Sequence, residues 1–185
     1  MSDKEIRDLP TADQLNQELK RLRNKSSFTK AVFSTVSGLI VMAAIAVIIS
    51  TMMLPVLRVT GSSMNPTLRN DEMILCVKSS NYDRGEVVAF YYNNKILLKR
   101  VIGLPGEKIN ILEDGTVYID DKVLDEPYVT EPALGEADMT FPYQVPEGRI
   151  FVIGDNRPLS VDSRSTTIGA ISTELIVGKV KYVIY

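Results

Sequence analysis

The stretch KILLKRVIGLPGEKINILEDGTVYID, residues 95–120, decides the fold. It holds three short runs rich in β-branched and apolar residues: KILLKRVIG (95–103), KINIL (108–112) and TVYID (116–120). Runs of this length and composition favour extended chain. Between the last two stands EDGT (113–116), and Asp-Gly tolerates the positive φ that a tight hairpin requires. Strands joined so closely pair antiparallel. Working outward, MILCVK (73–78), EVVAFYY (86–92), RIFVIGD (149–155) and LIVGKVKYVIY (175–185) read the same way, and ISTEL (171–175) fits one helical turn. The expected fold class is therefore mainly β, with antiparallel strands.

One segment breaks the pattern. LDEPYVTEPALGEADMTFPYQVPEG (124–148) carries four of the nine prolines and several acids. It reads as an irregular excursion, so a small inserted hairpin-plus-loop lobe is expected near 110–147. The β domain is expected to occupy 58–185. No internal repeat or low-complexity tract is present.

The residues before it are of another kind. From Ala31 to Leu57 there is no charged residue, a run of 27 positions. As a helix it covers roughly 40 Å, and a bilayer core needs about 20 apolar residues. Residues 31–57 are therefore expected to form a transmembrane helix, with Pro55 near its far end, where a break costs little. Some 30 residues precede the run, and the run is too long for a cleavable signal peptide. Lys20, Arg21, Arg23, Lys25 and Lys30 flank it on one side, against Arg58 and Arg69 on the other. The positive-inside rule then places residues 1–30 in the cytosol and 58–185 outside. Within 1–30, Thr11 and Gln14 fit a capping box, and Leu15, Leu19 and Leu22 follow at helical spacing. Two readings stand for this piece: a short helix on anionic headgroups, or a solvated tail.

Composition limits the chemistry. The net charge is -2, which offers no field to attract nucleic acid. The one cysteine, Cys76, can make neither an internal disulfide nor a multi-thiolate metal site. There is no histidine, which excludes Ser-His-Asp and Cys-His catalysis and the usual catalytic zinc sites. A nucleophile in this chain needs another base, and lysine is the main candidate.

Polar residues gather in GSSMNPTL (61–68), LLKRVIGLPGE (97–107) and GDNRPLSVDSR (154–164). In the second, alternation puts Lys99 with Leu97 and Val101, and Arg100 with Leu98 and Ile102. Both faces are apolar, so one charge is expected to turn inward. A buried lysine loses its proton more readily and can serve as general base. The competing reading is an edge strand with both cations reaching water. The third segment packs two Asp, two Arg and two Ser between strands. It is either a loop braced by its own ion pairs or the wall of an active site.

In this order the motifs resemble those of the type I signal peptidases, membrane-bound Ser/Lys proteases that remove signal peptides from exported proteins. SMNPTL (63–68) resembles the family's nucleophile box, RGEVVAF (84–90) its strand box and KRVIGLPGE (99–107) its lysine box. GDNRPLSVDSR (154–164) resembles the last box. Glu86 and Glu107 stand where aspartate is more usual. The resemblance implies Ser63 as nucleophile, Lys99 as general base and Ser160 as the hydroxyl that orients the lysine. It implies that Asp155, Arg157, Asp162 and Arg164 brace the site and that Met64 shapes the substrate pocket. Some members use a serine two residues before the nucleophile in the oxyanion hole. Gly61 stands there in this chain, so the backbone N–H of Ser63 is the expected donor, with Ser62 an open candidate beside it.

The resemblance further implies two antiparallel sheets in an open, barrel-like catalytic domain, and no cofactor. The implied substrates are signal-peptide-bearing preproteins cut after small residues, Ala-x-Ala in type. The implied partners are the bilayer and the protein export machinery, and the implied location is the cytoplasmic membrane, single-pass, with catalysis on the extracellular face. Three rivals fit less well, the first a self-cleaving Ser/Lys protease of the SOS-repressor type, which would carry a DNA-binding module where this chain has a short helix and an apolar run. A non-catalytic anchored β domain that binds exported chains would not need the Ser63, Lys99 and Ser160 set. A cell-wall type acyltransferase carries Ser-x-x-Lys on a helix, whereas Ser63 and Lys99 lie 36 positions apart.

Overall fold

The computed structural model describes residues 11–184. Helix α1 spans Ala12–Met53. The capping box forms at its start: the Thr11 N–H donates to Gln14 Oε1 at 2.9 Å, and the Gln14 N–H donates to Thr11 Oγ1 at 3.4 Å. These bonds occupy amides that a helix start leaves unpartnered. The leucine-spaced segment and the apolar run form one continuous helix, not a short helix set apart from an anchor. It is long and apolar enough to cross a membrane. It stops just before Pro55, which has no N–H to donate. Val56 and Leu57, the last residues of the uncharged run, already belong to a strand.

Residues from Thr51 onward form a second compact unit. Its strands are β1 (Val56–Arg58), β2 (Met73–Val77), β3 (Val87–Tyr92), β4 (Lys95–Gly103), β5 (Lys108–Ile111), β6 (Val117–Ile119), β7 (Lys122–Val123), β8 (Tyr143–Gln144), β9 (Arg149–Ile153), β10 (Ile171–Ser172) and β11 (Ile176–Val183). They build two antiparallel sheets. One has seven strands in the order β1-β2-β11-β3-β4-β9-β10, and the other has four in the order β7-β6-β5-β8. Neither sheet closes into a barrel. Of the ISTEL stretch expected as a helical turn, Thr173–Leu175 form a 3-10 turn, while Ile171–Ser172 are strand β10 paired with β9.

The Asp114-Gly115 hairpin joins β5 to β6, with Ile111 opposite Val117. Gly115 has φ 88°, and a Cβ there would lie 2.3 Å from the backbone nitrogen of Ala133. Conformation and crowding both require glycine. A second tight turn, Asn93-Asn94, joins β3 to β4 with positive φ at both residues. Asparagine visits that region at low cost.

Strand β4 runs between β3 and β9, so it is not an edge. Its two faces serve three cores, with Ile102 packed among Ile109, Phe151 and Ile153. Val101 packs with Val88, Phe90 and Val152, while Leu98 packs with Val87, Ala89 and Met64. Both Lys99 and Arg100 are buried, where the sequence pointed to one inward charge. An interior strand covered on both faces leaves neither cation a short route to water. Cys76 lies fully buried in the core with Ile74 and Leu68, and burial pushes its thiol up to about 11.

Candidate active site

Strand β4 fixes Lys99 in a covered position, 3% exposed. Burial pushes its ammonium down to about 8, the nearby guanidinium of Arg164 adds to the shift, and the carboxylates of Asp162 and Asp155 oppose it. Among the described residues Lys99 makes no ion pair, because the carboxylates around it are engaged by arginines. Arg100, its neighbour, donates Nε and Nη2 to the two oxygens of Asp155 at 2.8 and 2.5 Å. It also donates to the Gly85 carbonyl at 2.6 Å.

The loop after β9 supplies the rest. Asp162 is fully buried and accepts from the Gly154 N–H at 3.0 Å, the Ser160 hydroxyl at 2.6 Å and Arg164 Nε at 2.8 Å. Arg164 also donates to the carbonyls of Leu134, Arg157 and Ser160. A buried carboxylate survives only with such partners. The GDNRPLSVDSR segment is therefore braced by one ion pair of its own, Asp162 with Arg164, and by two that reach outside it, to Arg100 and to Glu126.

Gly154 is where the candidate residues converge. A Cβ at this position would sit 2.2 Å from Ser160 Oγ and 2.6 Å from the Ser63 carbonyl oxygen. Its missing side chain lets the serine loop and the 154–164 loop close on each other. Asn156 stitches them further: its N–H donates to the Ser63 carbonyl at 3.0 Å, and its Nδ2 donates to the Ser62 carbonyl at 3.1 Å. Ser63 is half-buried and Ser62 exposed.

Ser63 opens on a cleft of about 390 Å³. Residues 57–61 and Met64 line it together with Lys95 to Leu98 at the start of β4. Leu57, Val59 and Ile96 give it a partly apolar lining. Met64 is itself buried in the core below.

The geometry thus gathers Ser63, Ser160 and Asp162 around Gly154, with Asp162 and Asp155 acting on Lys99. The two unusual glutamates are also paired: Glu86 with Lys179 at 2.9 Å and Glu107 with Arg84 at 2.6 Å. Residues that the motifs did not single out take part as well. Asn156 lies inside a quoted motif, so its neighbours were a signal for it. Glu126, bound to Arg157, and Tyr128, stacked on Arg100, lie in the proline-rich excursion, where no local pattern marked them.

The β domain thus carries two antiparallel sheets, a serine facing a cleft and a buried lysine among ion-paired carboxylates. Comparison with known proteins supplies the class. The chain matches the signal peptidase family, peptidase S26, along residues 32–185, and it belongs to that family of peptidases. Signal peptidase I of Bacillus licheniformis is 34% identical over 169 residues, covering 84% of this chain and 89% of that one. Signal peptidase I of Bacillus amyloliquefaciens is 33% identical over 178 residues, covering 90% and 95%. The crystal structure of a signal peptidase I from Enterococcus faecalis is 32% identical and covers 55% of this chain and 97% of that chain, with a TM-score of 0.46. An apolar N-terminal helix in a relative of the signal peptidases fits a membrane-anchored protein.

Proposed function

We propose that this protein is a membrane-anchored serine endopeptidase that removes signal peptides from exported preproteins, with Ser63 as nucleophile and Lys99 as general base. The observation that carries the reading is Lys99: a lysine buried at 3% exposure and pushed down to about 8, without an ion pair among the described residues. An ordinary lysine near 10.4 is a poor base at neutral pH, and this one is far better placed.

The chemistry runs in two halves. Lys99 takes the Ser63 proton as Ser63 Oγ attacks the carbonyl carbon of the scissile bond. The protonated lysine then gives that proton to the leaving amine, and an acyl-enzyme remains. Water, deprotonated by Lys99, attacks the ester, and the protonated lysine returns that proton to Ser63 Oγ as the acyl product leaves. Ser160 donates its own proton to Asp162, which leaves its oxygen lone pairs free to accept from Lys99 and orient it. Asp155, Arg157, Asp162 and Arg164 hold the loop that carries Ser160. The backbone N–H of Ser63, with Ser62 alongside, faces the developing oxyanion.

The cleft lined by residues 57–61 and 95–98 takes the signal peptide as an extended strand, and Met64 helps limit the pockets to small side chains. This supports an Ala-x-Ala preference. The basic flank of α1 supports an orientation with residues 1–30 in the cytosol, an anchor within 31–57 and the catalytic domain 58–185 on the extracellular face. Ser63 follows the apolar run by six residues, which suits a substrate whose cleavage site emerges at a membrane surface.

Cleavage of a preprotein by the full chain in detergent micelles tests the reading, with Ser63→Ala and Lys99→Ala assayed beside it. Both variants are expected to lose turnover. Full cleavage by either one sinks the mechanism.

A further inference from the structure

Three arginines are buried behind the candidate site, and each faces one carboxylate. Arg100 pairs with Asp155 and Arg164 with Asp162, both partners lying in the 154–164 loop. The third, Arg157, pairs with Glu126, which comes from the excursion between β7 and β8. We propose that Glu126 and Tyr128 are positioning residues of the active site, holding Arg157 and Arg100 in the arrangement that sets Ser63 and Ser160 against each other. The inference rests on the Ser63/Lys99 reading.

The physical path is continuous. Glu126 binds Arg157 in a fork, Nη1 at 3.0 Å and Nη2 at 2.5 Å. That leaves Arg157 Nε, which donates to the Gly154 carbonyl at 3.2 Å. Gly154 is the residue against which the Ser63 carbonyl and the Ser160 hydroxyl both press. Tyr128 serves two partners at once. Its hydroxyl donates to Glu126 Oε1 at 2.9 Å, and its ring lies 3.9 Å from the guanidinium carbon of Arg100. Arg100 in turn forks onto Asp155, a carboxylate that acts on Lys99. Burial and Glu126 both hold the Tyr128 hydroxyl protonated, so it stays a donor.

Charge points the same way. Each of the three guanidinium groups has its own carboxylate, and among the described residues Lys99 forms an ion pair with none of them. Without the Glu126 charge, buried Arg157 has no partner of its own and competes for Asp155 or Asp162. The ion pairs that fix the Ser160 loop then rearrange. A mere staple of the excursion to the sheet would behave otherwise: its loss would lower stability but leave turnover per folded molecule intact. Neither Glu126 nor Tyr128 lines the cleft, so substrate binding is not their route of action.

The test is steady-state cleavage of a preprotein by the full chain in detergent micelles, corrected to the folded fraction from thermal melts. Glu126→Gln is expected to lower kcat about 100-fold with KM changed less than about twofold. Tyr128→Ala should follow it, while Tyr128→Phe keeps the ring on Arg100 and loses less than about tenfold. A wild-type kcat in Glu126→Gln, or a loss carried wholly in KM, overturns the proposal. If Glu126→Gln does not fold, Tyr128→Ala decides, and a wild-type kcat there overturns it equally. Ser63→Ala runs in parallel: cleavage by that variant removes the Ser63 assignment, whereas a dead Ser63→Ala with an unaffected Glu126→Gln removes only the positioning role.

Discussion

Lys99 shows how one residue's surroundings set its chemistry. The same ammonium on a surface strand would stay charged through the neutral range. Here desolvation outweighs the attraction of Asp162 and Asp155, and the folded value falls to about 8. If Lys99 is the base, kcat/KM for preprotein cleavage should rise with pH and level off above a midpoint near that value. A profile flat from pH 6 to 9 would exclude it. Stability carries the matching signature. Between about 8 and the unfolded value near 10.5 the unfolded chain binds the extra proton, so this residue's contribution becomes more favourable as pH rises through that window. Below it, folding buries a full charge. Lys99→Met is therefore expected to be inactive yet more stable than the parent at pH 7, by on the order of 3 kcal/mol. Denaturant melts should show that advantage shrinking between pH 8 and 10.5. An advantage independent of pH would mean that the gain comes from packing alone.

At the scale of elements, the end of β9 and the turn after it matter most. Gly154 follows Ile153, the last residue of β9, and has no side chain to hold the serine loop away. A methyl group there meets Ser160 Oγ at 2.2 Å and the Ser63 carbonyl at 2.6 Å, distances that force one of the loops to move. Overpacking of this sort costs roughly 1–3 kcal/mol, which a domain of this size survives. Misplacement of about 1 Å at a reacting group costs about 100-fold in rate. Gly154→Ala is thus expected to remain folded by circular dichroism and to lose about two orders of magnitude in kcat. Wild-type turnover in this variant would show that the contact does not set the site. Gly115 gives the contrast: its positive φ and its closeness to Ala133 serve the β5–β6 hairpin, remote in sequence from the candidate catalytic groups.

At the scale of the whole molecule, α1 is long and apolar enough to cross a membrane, and the β unit has its own packed core. Residues 55–58 lie in the uncharged run or beside it, yet Val56–Arg58 pair with β2 and contribute Leu57 and Arg58 to the cleft. A chain begun at Leu54 is expected to fold and to cleave a soluble peptide carrying the signal-peptide cleavage site. A chain begun at Val59 loses β1, exposes the edge of β2 and should show a lower melting temperature and a higher KM. Equal KM for the two would separate β1 from substrate binding. Much of this architecture was legible in the sequence, because local rules govern it. β-branched runs such as KILLKRVIG and RIFVIGD form strands, Asp114-Gly115 turns, and the Thr11/Gln14 box caps the helix. Each depends on neighbours a few residues away. β1, β7, β8 and β10 were not legible, since two or three residues become a strand only when a partner edge lies beside them. The absence of histidine and the order of the polar motifs determined, by sequence alone, what kind of nucleophile this chain can use and which residues compete for the role. Tertiary structure decided that both Lys99 and Arg100 are buried, that Gly154 brings Ser63 and Ser160 together, and that Glu126 completes the arginine pairs from some 30 residues away. The physical reason is that burial and charge pairing are properties of a packed interior, and those partners meet only once the sheet has folded.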